Sequence, residues 1–447
     1  MEKPNQIAQI ESHIHPKGIT PLFLTEMWER LSYYGMRALL VLYLVKSLGF
    51  SDADAGAVYA FYTSFVYLTP VLGGYLTDRF LSYQFSIYLG SFLMLCGHIS
   101  LAFSDLSFFY LGLVLLALGN GFFKPNMSTI FGRLYDGKPG LRDSGFTIFY
   151  MGINLGGLIG PIICGSLGER VDWHLGFLSA GVGMAIGMVV FYFGSKRLPA
   201  SIWQKQKDPL TAANVTVSPD QNTKPKILLI VLLSFFSIFF WMAFEQMGSS
   251  LNLFALRNTD RFLFGFEVPA SVLQSINPLF ILIFGPLISI LWSSLARRNQ
   301  NPNPVMKFVL SLILLGIGFL VMVVAAKYAE TGIAVSILFL VFVYFWNTLS
   351  ELCLSPVGLS FVSFMAPAKY ASVLMGIWFL SNAFGHYAAG ILSGYQNQWG
   401  SMANFYGFFV ICSFSGAFLL YGIYFLKKKS ILLLLNGKEI SNERSTN

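Results

Sequence analysis

The 447-residue sequence holds 55% hydrophobic and only 11% charged residues, with 44 phenylalanines and a mean hydropathy of +0.63. A soluble domain carries about a quarter charged residues and a disordered chain is poor in apolar ones, so both are excluded and a polytopic membrane protein is left. The net charge of +8 calls for no nucleic-acid partner, because the cytoplasmic loops of multispanning proteins gather Lys and Arg.

The first 18 residues are polar and no cleavable signal peptide follows them. Twelve apolar runs come next, each long enough for a helix that satisfies its own backbone in lipid. They cover roughly 20–48, 54–77, 83–103, 107–132, 143–165, 174–194, 227–250, 269–293, 305–326, 333–363, 371–395 and 403–426. The polar, proline-bearing stretch 195–226 divides them. The expected organisation is a six-helix bundle over 1–194, a cytoplasmic linker over 195–226, and a second six-helix bundle with a short tail over 227–447. This all-α, twelve-helix plan in two halves is similar to that of major-facilitator transporters, whose substrate sites lie near the midplane. With the N-terminus inside, inward segments hold 21 Lys and Arg and outward loops five. That asymmetry places both termini in the cytoplasm. The ILLLL run after Lys427–Lys429 is too short to cross. Cys96, Cys164, Cys353 and Cys412 stand singly in apolar runs and read as small packing residues.

Seven ionisable side chains fall inside predicted spans: Glu26, Glu29, Arg30, Arg37, Lys124, Glu245 and Glu351. Facing lipid, each would cost about 2.5–3.5 kcal/mol and the set roughly 20 kcal/mol, so they must face one another or water. They mark an ion or substrate pathway; the alternative is buried pairs that only fix helix register. In the first span, EMWERLSYYGMR, the residues Glu26, Glu29, Arg30, Tyr33 and Arg37 fall on one helical face. Glu26 and Arg30 are a favourable i, i+4 pair, and Glu29 is a second carboxylate at the same guanidinium. Both cannot be fully satisfied by it, which makes Glu26 or Glu29 a candidate reversible proton carrier. Four acids against three bases suit a zwitterionic cargo: an ammonium for the spare carboxylate, a carboxylate for Arg37 or Lys124.

Lys124 precedes Pro125, Glu351 lies shortly before Pro356 and Gly358, and the eighth span contains SINPLFILIFGP. Charges beside bend points suit a gate, although an ordinary proline kink is common in membrane helices. Gly152, Gly156 and Gly160 at four-residue spacing form a close-packing face with no chemistry. His98 and His386 lie in spans, and a histidine proton relay is conceivable there. No metal, phosphate-loop or Ser–His–Asp motif is present, so an ATP-driven pump or a protease has no support, and no enzyme, cofactor or metal is expected.

The segments EMWERLSYYG (26–35), GNGFFKPNMSTIFGRLY (119–135), FTIFYMGINLG (146–156) and ELCLSPVGLS (351–360) resemble the proton-coupled oligopeptide transporter family. The first is similar to that family's ExxERFxYYG motif, with Leu31 in place of phenylalanine. The resemblance covers most of the chain and implies symport of di- and tripeptides with protons by alternating access. It implies that Glu26, Glu29 and Arg30 couple protons, that Arg37 and Lys124 receive the peptide carboxylate, and that Glu351 receives the amino terminus. Tyr33, Tyr67, Tyr150, Asn154 and Asn277 would hydrogen-bond the peptide, and Trp378 would line a side-chain pocket. Lys124 with Glu351 would form the inward gate and Arg37 with Glu245 the outward one. The expected partners are di- and tripeptides, protons and the lipid bilayer, for a monomer in the cytoplasmic (inner) membrane. Two features depart from the pattern. The linker has no apolar run for the extra helix pair of many bacterial relatives, and FLSYQF follows Arg79 where a basic stretch is usual. Two other readings stay open: a transporter of another zwitterion or organic anion, such as an amino acid or peptide-like drug, and a non-transporting receptor on the same scaffold.

Overall fold

The computed structural model describes residues 15–203, 223–367 and 370–435. Most of the polar N-terminus, positions 204–222 of the linker, Lys369 and the tail beyond Leu435 lie outside the described residues. Twelve helices of 19 residues or more run through the described chain: α1 Ile19–Lys46, α2 Asp52–Arg79, α3 Tyr83–Leu101, α4 Leu106–Arg133, α5 Pro139–Arg170, α6 Trp173–Ser195, α7 Thr223–Phe244, α8 Ile276–Arg297, α9 Pro304–Glu330, α10 Ile337–Met365, α11 Ala371–Gly394 and α12 Met402–Leu426. At 1.5 Å per residue even the shortest approaches the roughly 30 Å hydrocarbon layer.

Ten of the spans are long and apolar enough to cross a membrane on composition alone. The two that are not are α1, which carries the charged stripe, and α11, whose Ser381, Asn382 and His386 are buried inside the protein. Elsewhere the usual pattern of a soluble protein is inverted. Large apolar side chains such as Phe65, Leu72, Phe364, Phe418 and Phe425 are exposed, as lipid-facing residues should be.

Helix starts follow local chemistry. Asp105 caps α4 through the Ser107 amide at 2.7 Å, Asp172 caps α6 through His174 and Leu175, and Ser401 caps α12 through Asn404. Each side chain accepts from an amide that the first turn leaves without a partner. The same Ser107 bonds hold the Asp105 carboxyl below its ordinary pKa.

Three boundaries differ from the sequence reading. The seventh span is not one helix: α7 ends at Phe244, a 3-10 turn runs over Glu245–Gly248, and a short helix, Ser250–Asn258, continues it. The eighth begins as a 3-10 segment, Ala270–Ser275. The tenth begins at Ile337, because Val335–Ser336 pairs as a parallel bridge with Thr259–Asp260. The ILLLL run belongs to an eight-residue helix, α13 Lys428–Leu435, that buries Ile431 and Leu434.

The chain forms two compact units. The first comprises Met1–Gly49, Phe65–Gln206 and Leu263–Leu282; the second comprises Phe50–Ser64, Lys207–Phe262 and Ile283–Asn447. Each therefore draws on sequence from both sides of the linker. The first half of α2 belongs to the second unit because its small residues press on α11: a Cβ on Gly390 would lie 2.5 Å from the Ala60 nitrogen and one on Gly394 2.9 Å from the Ala53 Cα. Asp52 completes that attachment, accepting both Arg257 nitrogens at 2.8 and 2.7 Å and the amides of Gln396 and Asn397. The start of α8 belongs to the first unit through Glu169, whose carboxylate accepts the backbone amides of Ala270 and Ser271 and the Ser271 hydroxyl.

Candidate functional site

In the first unit the charged stripe of α1 is buried, with Glu29 at 0% exposure. Arg30 Nε lies 3.1 Å from Glu26 Oε1 and 2.5 Å from Glu29 Oε2. A third group holds the guanidinium: Nη2 donates to Asn120 Oδ1 at 3.4 Å, and the Asn120 amide donates to the Val66 carbonyl at 2.9 Å. Asn120 was not among the residues singled out from the sequence. A signal was there, since it stands four residues before Lys124 and so shares its face of α4. Glu26 Oε2 and Glu29 Oε1 accept no hydrogen bond among the described residues.

The stripe continues as alternating cations and rings. Arg30 sits 5.4 Å from the Tyr33 ring centroid, Tyr33 meets Tyr34 edge-on, and Arg37 sits 5.5 Å from Tyr34. Cation–ring contacts of this kind hold a charge without neutralising it. Lys124 is placed likewise, its Nζ 4.9 Å from the centroid of Tyr67, within Coulombic reach of Arg30, Glu29 and Glu26.

Backbone approach explains why α1 holds its position. A Cβ on Gly152 would meet the Phe23 ring at 2.8 Å, one on Gly156 the Met27 carbonyl at 2.2 Å, and one on Gly160 the Leu31 carbonyl at 2.4 Å. The glycine face of α5 thus lies directly on the segment that carries Glu26, Glu29 and Arg30. Pro125 leaves the Gly121 carbonyl without its helical donor. That oxygen points at Gly73 of α2, where a Cβ would stand only 2.2 Å away. Asn154 turns its amide onto the Tyr150 carbonyl at 2.9 Å, and half-buried Asn277 precedes Pro278, which packs near Gly157.

In the second unit Glu245 occupies the first residue of the 3-10 turn that interrupts the seventh span. Tyr59 donates to its Oε2 at 3.1 Å, and His386 Nε2 lies 3.3 Å from its Oε1. The other ring nitrogen of His386 is 2.8 Å from the Asn382 carbonyl oxygen. The partner that the sequence could not supply for His386 is therefore Glu245. His98, by contrast, is fully buried with neither ring nitrogen hydrogen-bonded among the described residues. Glu351 is half-buried on α10, before Pro356. Trp378 is buried against Gly358, whose Cβ would stand 2.3 Å from its ring, and against Phe308 at 6.0 Å between centroids.

The first unit thus holds Glu26, Glu29, Arg30, Tyr33, Arg37, Tyr67, Lys124, Tyr150, Asn154 and Asn277, and the second holds Glu245, Glu351 and Trp378. Each expected gate pair has one member in each unit.

Known proteins bear on this arrangement. A family model described as POT family matches residues 85–218 and 202–409. The chain is 37% identical to an uncharacterized transporter, YclF, of Bacillus subtilis, over 83% of this chain and 86% of that one. It is 34% identical to the peptide transporter YePEPT of Yersinia enterocolitica, over 85% and 88%, and 33% identical to a di-/tripeptide transporter of Lactococcus lactis, over 82% and 87%. Among solved structures, a peptide transporter POT in complex with alafosfalin superposes with a TM-score of 0.82 at 30% identity, over 94% of this chain and 96% of that one. Buried charges on an apolar twelve-helix chain, matched along most of its length, have one reading: the chain belongs to the POT family of membrane transporters.

Proposed function

We propose that the protein carries di- and tripeptides across the cytoplasmic membrane together with protons, by alternating access, as a monomer with both termini in the cytoplasm. The observation that carries the reading is Arg30, bracketed by two buried carboxylates that retain oxygens without a hydrogen-bond donor among the described residues. A buried carboxylate is usually met by several donors. Here two acids share one guanidinium nitrogen, so a proton can be taken up and released with little rearrangement. Glu26, Glu29 and Arg30 form the coupling cluster, with Asn120 keeping the guanidinium in place.

Arg37, over the Tyr34 ring, and Lys124, over the Tyr67 ring, receive the peptide carboxylate. Glu351 takes the amino terminus, and Tyr33, Tyr67, Tyr150, Asn154 and Asn277 hydrogen-bond the peptide backbone. Trp378 lines the side-chain pocket. Lys124 with Glu351 and Arg37 with Glu245 close the inward and outward gates in turn. The names of the Yersinia and Lactococcus relatives support the cargo, and the 21-to-five distribution of Lys and Arg supports the orientation.

The test is uptake of labelled dialanine into proteoliposomes under an inward proton gradient. Accumulation should depend on the gradient and be lost in Glu29→Gln and Lys124→Ala, with both variants still folded. Binding without accumulation, or uptake of another solute and no peptide, would overturn the reading.

A further inference from the structure

The second unit carries a feature that peptide transport does not use. Where α9 begins and α10 ends, a cavity of about 500 Å³ is walled by α9, α10 and α13. Its floor is apolar, formed by Val357, Phe361 and Phe364 with Leu432 and Leu435. From Pro356 to Phe364 the α10 wall runs about 12 Å, most of the roughly 15 Å depth of one leaflet's hydrocarbon.

One corner is polar. Asn303 is already engaged there, capping Met306 at 3.0 Å and donating to the Tyr424 hydroxyl at 3.0 Å. Among the described residues, Lys307 is the one charged residue on the wall. Its Nζ stands 4.6 Å from the Trp292 ring centroid, and no carboxylate pairs with it among the described residues. The surrounding sequence is basic. Arg297 ends α8 and Arg298 follows it, Lys427 precedes α13 and Lys428 and Lys429 open it, and the stretches 283–307, 356–367 and 427–435 contain no Asp or Glu. In the proposed orientation this rim faces the cytoplasmic leaflet, where basic pockets between helices attract anionic head groups.

We propose that this trough binds an anionic glycerophospholipid. Its phosphate lies at Lys307, on the side of the chain made basic by 297–298 and 427–429, and one acyl chain runs along Phe361 and Phe364. Such a lipid would bear on the peptide pocket through shared walls: Val357 adjoins Gly358, Lys307 adjoins Phe308, and both Gly358 and Phe308 pack on Trp378. That consequence rests on the peptide-transport reading; the binding does not.

Native mass spectrometry of the full chain, offered equal phosphatidylglycerol and phosphatidylcholine with matched acyl chains, reads the binding without any transport assay. Phosphatidylglycerol should stay bound under activation that strips phosphatidylcholine. Lys307→Gln should weaken its retention about fivefold, the loss of one lysine at an anionic surface. Val357→Trp, which fills the trough and leaves every charge in place, should also release it. Equal retention of the two lipids, or unchanged phosphatidylglycerol retention in both variants, overturns the proposal. Displacement by inorganic phosphate would make this a phosphate site, and retention only after truncation at Leu435 would assign the trough to the tail. Either result sinks the lipid.

Discussion

His386 Nε2 lies 3.3 Å from Glu245 Oε1 inside the second unit. The opposite nitrogen, Nδ1, is 2.8 Å from the Asn382 carbonyl oxygen and must donate to it, because a carbonyl only accepts. The ring therefore stands with Nε2 beside the Glu245 carboxylate, whose other oxygen accepts from the Tyr59 hydroxyl at 3.1 Å.

Stability measures this directly. His386→Leu removes one partner and leaves a buried polar group under-satisfied, which should cost about 1–3 kcal/mol. Glu245→Gln should cost less, because its amide can donate to Nε2 while its oxygen still accepts from Tyr59. Thermal unfolding in detergent compares them; equal losses would mean that the contact between His386 and Glu245 adds nothing to stability.

Asn120 provides the second prediction. Its carbonyl accepts from Arg30 and its amide donates to Val66, so Asn120→Ala removes a hydrogen bond on each side. A bond of this kind is worth about 0.5–1.5 kcal/mol, and dialanine uptake should fall by up to about tenfold at unchanged expression. Asn120→Asp places a third carboxylate at the same guanidinium and should abolish gradient-driven accumulation. A wild-type initial rate in both variants would remove Asn120 from the coupling cluster.

Gly156 tests whether the glycine face holds the charged helix in place. Any Cβ there stands 2.2 Å from the Met27 carbonyl oxygen, a backbone atom that cannot turn aside. Overpacking of this kind costs about 1–3 kcal/mol, so Gly156→Ala should lower the unfolding temperature. Gly422→Ala, where nothing lies within 4 Å, should leave it unchanged.

These residues show how far the sequence could be read. The α1 stripe was legible because helical periodicity places Glu26, Glu29, Arg30, Tyr33 and Arg37 on one face without reference to the rest of the chain. The glycine spacing on α5 revealed a packing face by the same local logic, but not that α1 lies against it. Pairing across long separations left no periodic trace. Tyr59 and Glu245 are 186 residues apart, and Arg30 and Asn120 are 90 apart. The break in the seventh span was hidden for another reason. The turn Glu245–Gly248 contains no proline and a single glycine at its last position, so local propensity continues the helix through Phe244, Glu245 and Gln246 where the fold inserts a 3-10 turn. The assignment of residues 50–64 and 263–282 to units away from their sequence neighbours depends on close contacts at Gly390 and on the Glu169 carboxylate, which hydropathy does not register.

Gly358 and Trp378 yield a prediction about selectivity. A Cβ on Gly358 would come within 2.3 Å of Trp378 Cη2 and 2.4 Å of Cζ2. Those atoms are the far edge of a side chain, so Gly358→Ala should be met by a swing of the indole more than by a loss of fold. If Trp378 lines the side-chain pocket, that swing changes the pocket by about the volume of one methyl group. A methylene-sized change in an apolar pocket shifts discrimination by about 1–3 kcal/mol. Gly358→Ala should therefore alter the ratio of kcat/KM for dialanine over a bulkier dipeptide such as Phe-Ala by about tenfold or more, with the unfolding temperature little changed. Gly376→Ala on α11, where the added carbon meets nothing within 4 Å, is the matched control. Competition between the two dipeptides in proteoliposomes gives the ratio directly. An unchanged ratio in Gly358→Ala would mean that Trp378 packs the second unit without touching cargo.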